Sequence, residues 1–130
     1  MPRAPAPKAS GGAAPAAPPA DDLAPICPHY HRAVELLGQR WTGAIVEVLL
    51  RTGEPVRFTD IAGAIPDISD RLLSRRLKEL QERGIVARAD AAGPRYALTD
   101  QGRELEPAVA ALKLWGRRWL DTSASSFRPA

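Results

Sequence analysis

Cysteine is nearly absent from this chain, with one residue, Cys27, in 130. A single thiol excludes an internal disulfide framework and leaves only a free thiol or a bond between two subunits. Long apolar runs are lacking too. The longest candidate, GAIVEVLL, is interrupted by Glu47 and falls well short of the roughly 18 residues that a membrane-spanning helix needs. No apolar segment follows Arg3, only residues dominated by Ala, Pro, Gly and Ser, so no secretory signal is read there and the expected location is the cytoplasm. Catalytic signatures are missing as well: the sequence has no phosphate loop, no nucleophile elbow and no His-Glu-x-x-His pair. The chain therefore reads as a non-enzyme with no cofactor. Cys27, His29 and His31 crowd into one short stretch, but ligands confined to one stretch do not make a metal centre, and no metal is expected.

Acid is scarce in one place that matters. The net charge of +3 is small, and the first 26 residues contribute nothing to it because Arg3 and Lys8 cancel Asp21 and Asp22. Between Ile68 and Arg95, however, seven Arg or Lys face four Asp or Glu, and Arg71 to Lys78 holds no acid at all. A local concentration of positive charge bears on a polyanionic partner more than the total does.

Residues 1–24 are almost wholly Pro, Ala, Gly and Ser. Such a composition offers too little bulky apolar area to offset the entropy of ordering, so a disordered tail without assigned function is expected. One domain is expected over 25–121, followed by a flexible end, 122–130. Within it, Pro28 suits a first helical position, and Val34, Leu36 and Leu37 give an apolar side that stops at Gly38. Trp41, Ile45, Val48 and Leu49 mark a second helix, Trp41 to Leu50. Phe58 to Ile65 forms a short third one, closed by Pro66, which disfavours helical geometry in the residue before it. A tight turn, Pro66 to Ile68, leads to a fourth helix that Ser69 can cap and that runs to Arg83, with Gly84 ready for the left-handed conformation. Two short strands, Ile85 to Ala89 and Arg95 to Leu98, flank the turn Asp90 to Pro94. Thr99 then caps one long last helix whose stripe Leu105, Val109, Leu112, Trp115 and Trp119 recurs at intervals of three and four. This is a mostly α fold with a small β-hairpin: helix, turn, longer helix, then a wing.

The fourth helix carries the chemistry. At about 100° per residue, Leu73, Leu77 and Leu80 fall in one arc, while Arg71, Ser74, Arg75 and Lys78 gather opposite. Ordinary solvated helices pair acids and bases at i,i+4, whereas Arg71, Arg75 and Lys78 have no acid at that spacing on their N-terminal side except through the cap region, and Glu79 and Glu82 come only at the far end. Arginine can donate two hydrogen bonds to guanine or clamp phosphate, so Arg75 is the leading base reader. Arg71 and Lys78 fit base or phosphate, and Ser69 and Ser74 fit phosphate. Arg76 leans toward the core side, where an intramolecular ion pair is its expected role. Arg40 and Thr42, and likewise Arg57 and Thr59, stand at helix starts, where they either touch phosphates or merely cap. Arg95, like Arg88, is either a wing contact to DNA or a solvated strand charge.

The series CPHYHRAVELLGQRWT, RFTDIAGAIPDISDRLLSRRLKELQERGIV, RYALTDQGREL and LKLWGRRWL, from Cys27 to about Leu120, resembles the HxlR family of bacterial winged helix-turn-helix transcription regulators. The landmarks are the Cys-Pro opening, Gly38 with Trp41, Arg57-Phe58, Ile68-Ser69, Leu73 to Leu80, Tyr96 with Leu98-Thr99, and Trp115. The resemblance implies a homodimer joined through first and last helices, with Leu105, Val109, Leu112, Trp115 and Trp119 at the interface. It further implies two basic helices entering adjacent major grooves of a palindromic double-stranded DNA operator. It also implies that Cys27 occupies the position through which electrophiles or oxidants alter DNA binding in some relatives, the alternative signal being a small-molecule effector held between the first and last helices of the dimer. A thiol at a helix start is placed to react faster than a buried structural one, although small cysteines often serve only packing. Asp90 to Pro94 is shorter than the family's usual wing loop, which leaves the wing's minor-groove contact open. The competing reading is a winged-helix module that docks another protein without specific DNA binding, because the fold has no obligatory function.

Overall fold

The computed structural model describes residues 23–122. The expected tail, 1–24, lies outside the described residues except for Leu23 and Ala24, and of the expected end, 122–130, only Thr122 lies within them.

The first helix, α1 (Pro28–Leu37), starts where Cys27 accepts the Tyr30 N–H on its sulfur at 3.4 Å. Pro28 needs no partner there because it has no N–H. None of the helix's residues is buried. A corner of Gly38, Gln39, Arg40 and Trp41 leads into α2 (Thr42–Leu50). Trp41 was expected inside this helix but precedes it, at φ 74°, the one positive φ on a non-glycine among the described residues. That geometry costs on the order of 1–3 kcal/mol. Burial of the indole, which is 5% exposed, holds it in place. The helix itself buries Thr42, Ile45, Val46, Val48 and Leu49 and forms the centre of the domain.

A two-residue strand, β1 (Val56–Arg57), follows, then α3 (Phe58–Ala64), with Ile61 fully buried. Ile65 and Pro66 lie outside α3, and the turn closes through Ile68 N–H to the Ile65 carbonyl at 3.2 Å. The fourth helix, α4 (Asp70–Glu82), is capped by Ser69, whose Oγ accepts the Leu72 N–H at 3.1 Å. Leu73, Leu77 and Leu80 seat it on the core at 1% exposure or less. It ends at Gly84, φ 78°, where Ile85 N–H reaches back to the Leu80 carbonyl at 2.9 Å. Only glycine takes that conformation without strain.

The hairpin consists of β2 (Val86–Ala89) and β3 (Arg95–Leu98). It is not alone, as the sequence had suggested. β1 adds to its far side to give a three-stranded antiparallel sheet in the order β1-β3-β2, with Val56 opposite Tyr96 and Arg57 opposite Arg95.

The expected long last helix is two helices, α5 (Asp100–Arg103) and α6 (Glu106–Trp119). Thr99 does cap, but only the short one. Its Oγ1 donates to the Gly84 carbonyl at 2.5 Å and accepts the Gly102 N–H at 3.1 Å, tying α5 to the end of α4. Gly102 is pressed against the Ile85 carbonyl so closely that any side chain would collide with it. Pro107 enforces the break: it cannot donate to a preceding carbonyl, and its ring would clash with a continuous helix, so it sits in the first turn of a new one.

Nothing on α6 is buried. It is tied to α2 by Lys113, whose Nζ lies 3.0 Å from Glu47 Oε2. Between them runs an apolar groove of about 420 Å³ bordered by Leu37, Ala44, Val109 and Leu112. No helix among the described residues is long and apolar enough to cross a membrane.

Candidate nucleic-acid interface

Placing three leucines of α4 in the core turns the opposite arc to solvent by geometry alone. Arg71, Ser74, Arg75 and Lys78 are all exposed, as is Ser69 at the cap. Ser69 spends an oxygen lone pair on Leu72, which leaves its hydroxyl proton free to donate to an anion.

The charged partners divide the cations into two kinds. Arg51 makes a two-pronged contact with Glu47, Arg88 pairs with Asp90 at 2.7 Å, and Arg76 pairs with Glu79 at 3.0 Å. Arg71, Arg75 and Lys78 have no ion pair or hydrogen bond among the described residues. Three neighbouring cations left unneutralised on one ridge repel one another, a cost that a polyanion removes. Arg76 departs from the row as its helical angle suggested: its side chain is 15% exposed, and its Nε donates to the Arg40 carbonyl at 3.0 Å.

Around α4 the candidates separate. Arg57 and Thr59 are exposed at the start of α3 and, with Phe58, form one wall of a groove of about 300 Å³ whose other wall is the wing turn Ala92, Gly93 and Pro94. Arg95 is half-buried and lies opposite Arg57 in the sheet, so both side chains leave the same face. Like charges at directly opposed positions destabilise a sheet unless an anion lies between them. Sequence reasoning could not find this pair, because β1 is too short to show alternation. Arg88 is exposed but partnered: its hydrogen bond to Asp90, and then the charges of Tyr96 and Asp90, raise its already high pKa, and its guanidinium lies 5.9 Å from the Tyr96 ring centre. Arg40 is exposed, with its guanidinium 5.6 Å from the Trp41 ring centre.

Thr42 must be withdrawn. At 1% exposure it is among the most buried side chains of the domain and cannot meet a phosphate. The left-handed turn at Trp41 rotates the start of α2 into the core, so this helix start is not a surface feature.

A second surface lies along α1 and α6. Tyr30, Val34, Leu112, Trp115 and Trp119 are between 48% and 71% exposed. The expected stripe is divided: Leu105 packs against this chain's own core, and Val109 borders the groove. Leu112, Trp115 and Trp119 face outward, with Leu114 and Leu120 beside them. Cys27 is exposed at the head of α1. His31 lies 3.3 Å from Glu35 on the same helix.

Comparison with known proteins agrees with this geometry. The profile of the HxlR-like helix-turn-helix family matches residues 36–124. The HTH-type transcriptional regulator YvaP of Bacillus subtilis is 38% identical over 102 residues, covering 75% of this chain and 93% of YvaP. The solved reduced form of the transcriptional regulator YodB from B. subtilis superposes with a TM-score of 0.65 at 35% identity, covering 74% of this chain and 96% of YodB. The redox regulator HypR in its oxidized form gives 0.65 at 32% identity, covering 74% of this chain and all (100%) of HypR. The helix-turn-helix, the sheet beside it and the unpaired basic row thus belong together, and the chain is a member of the HxlR-like helix-turn-helix family of DNA-binding transcriptional regulators.

Proposed function

We propose that this chain binds a palindromic DNA operator as a homodimer, with α4 of each subunit in a major groove, and that Cys27 makes the binding sensitive to oxidants or electrophiles. The observation that carries the first part is the row Arg71, Ser74, Arg75 and Lys78, exposed and without charged partners among the described residues. Arg75, in mid-row, reads guanine. Arg71 and Lys78 flank it on base or phosphate, and Ser69, Ser74, Arg40, Arg57, Thr59 and Arg95 hold the backbone. The pairing of subunits is supported by the apolar residues of α1 and α6 that stay exposed among the described residues.

For Cys27, support comes from its place. The thiol is exposed, sits at the positive end of α1 and contacts the Tyr30 N–H, so an arriving electrophile finds it accessible. YodB has been solved quinone-bound, at 37% identity to this chain. With one cysteine per chain, a quinone adds to Sγ without a second thiol, whereas a disulfide needs the Cys27 of another subunit. Either change alters the head of α1, the helix that carries part of the subunit contact.

The test is a duplex selected by the full chain from a random-sequence library, titrated before and after mild quinone or diamide treatment, with Cys27→Ser alongside. Tight, salt-sensitive binding that treatment changes only in the native chain is expected. Binding without sequence preference would contradict the operator reading, and identical responses of the two proteins would remove Cys27 as the sensor.

A further inference from the structure

We infer that Arg76 is a positioning residue for DNA recognition: it fastens α4 to the corner between α1 and α2 and so fixes the separation and tilt of the two reading helices in a dimer, an inference that rests on the dimeric reading above. Arg76 follows Arg75 in sequence but faces away from the basic row, with 15% side-chain exposure. Its Nε donates to the Arg40 carbonyl at 3.0 Å, across 36 residues of sequence, and its Nη1 donates to Glu79 Oε1 at 3.0 Å. One end of the guanidinium therefore holds the corner, and the other holds α4 itself.

The acceptor is a rigid one. The Arg40 carbonyl belongs to the peptide that enters Trp41, whose φ of 74° is kept in place by a buried indole. Its direction is set by the core, not by the exposed Arg40 side chain. Guanidinium is planar, with donors in fixed relation, so two simultaneous bonds define the rotation of α4 about its own axis as well as its distance from the corner. An ion pair with Glu79 alone would not, since both partners ride on α4. Reading a base edge by two hydrogen bonds tolerates little rotation. The corner is also where α1 ends, at Leu37, so this bond links α4 to the end of α1.

The experiment uses the full chain and a selected duplex in which the distance between half-sites is lengthened or shortened by single base pairs, since half-site spacing reports how the two reading helices are held. Wild type should prefer one spacing. Arg76→Met, which keeps the aliphatic stem but neither donor, should lose about tenfold of that preference and bind the spacing series nearly alike. Glu79→Gln should keep the wild-type profile, because the bond to the Arg40 carbonyl survives and the Gln amide oxygen can still accept from Nη1. A merely structural role would lower the melting temperature and leave the spacing optimum in place. If Arg76→Met folds poorly, Arg76→Gln, polar but too short to reach the corner, gives the same reading. A wild-type spacing profile in the folded variant overturns the inference while leaving the dimer intact; indifference of the wild-type chain to spacing overturns both.

Discussion

Arg57 and Arg95 stand directly opposite one another across β1 and β3, two positive side chains leaving the same face of the sheet beside the wing turn. In the free protein this opposition costs a few tenths of a kcal/mol up to about 1 kcal/mol, the range for cross-strand pairs. Arg95→Gln should therefore leave the unbound domain as stable as before or slightly more stable. The same change should weaken DNA binding on every sequence and reduce the salt slope by about 0.9 for one lost phosphate contact. Thermal melts and a salt titration check both halves, and a variant that loses stability without changing the slope would make Arg95 a structural residue.

Gly102 is the second expectation. With the Ile85 carbonyl and side chain against it, there is no room for a methyl group. Gly102→Ala should cost about 1–3 kcal/mol, the usual penalty of overpacking, visible as a lower denaturation midpoint.

Glu47 joins α2 to α6. Burial raises its carboxyl, but the hydrogen bonds and charges of Lys113 and Arg51 outweigh that and hold it below its ordinary value of 4.5. A carboxyl lowered in the folded state contributes stability above the ordinary value and loses it as pH falls through the folded one. Glu47→Gln should thus be less stable than wild type at neutral pH, by about 1 kcal/mol or less since the cations are half-exposed, and the gap should close in acid. Denaturation at neutral and acidic pH measures it; a gap that widens on acidification would contradict the assignment.

The parts legible in the sequence are those where one local pattern suffices. Ser69, the spacing of Leu73, Leu77 and Leu80, and Gly84 state both ends and the buried face of α4 without reference to anything distant. The basic row is legible for the same reason. β1 is not, because two residues have no periodicity and become a strand only by meeting Val56 and Arg57 with Tyr96 and Arg95. The division of the last helix had a signal in Pro107, which the regular stripe beginning at Leu105 masked. Thr42 misled because a helix start is normally at the surface, and only the positive φ of Trp41 turns this one inward. The bond from Arg76 to the Arg40 carbonyl ends on backbone, which no side-chain pattern records.

Leu112 and Trp115 are 64% and 54% exposed, so their own core depends little on them. If the proposed dimer forms through α1 and α6, replacing Leu112 by Ser together with Trp115 by Gln should give folded monomers, because the pair then loses area that the proposal assigns to a second subunit. Sedimentation at micromolar concentration decides it, and persistent dimers would place the interface elsewhere.

The central claim is that the exposed side of α4 reads bases, and Arg75→Ala tests it most directly. Affinity of the full chain and of the variant is measured by fluorescence anisotropy, at one fixed salt concentration, on the selected duplex and on duplexes carrying each single base-pair change. The expected result is a loss of about 1–3 kcal/mol of discrimination confined to one position in each half-site, with the melting temperature and the dimer unchanged. Equal weakening on every duplex, or no change in preference at any position, would contradict it.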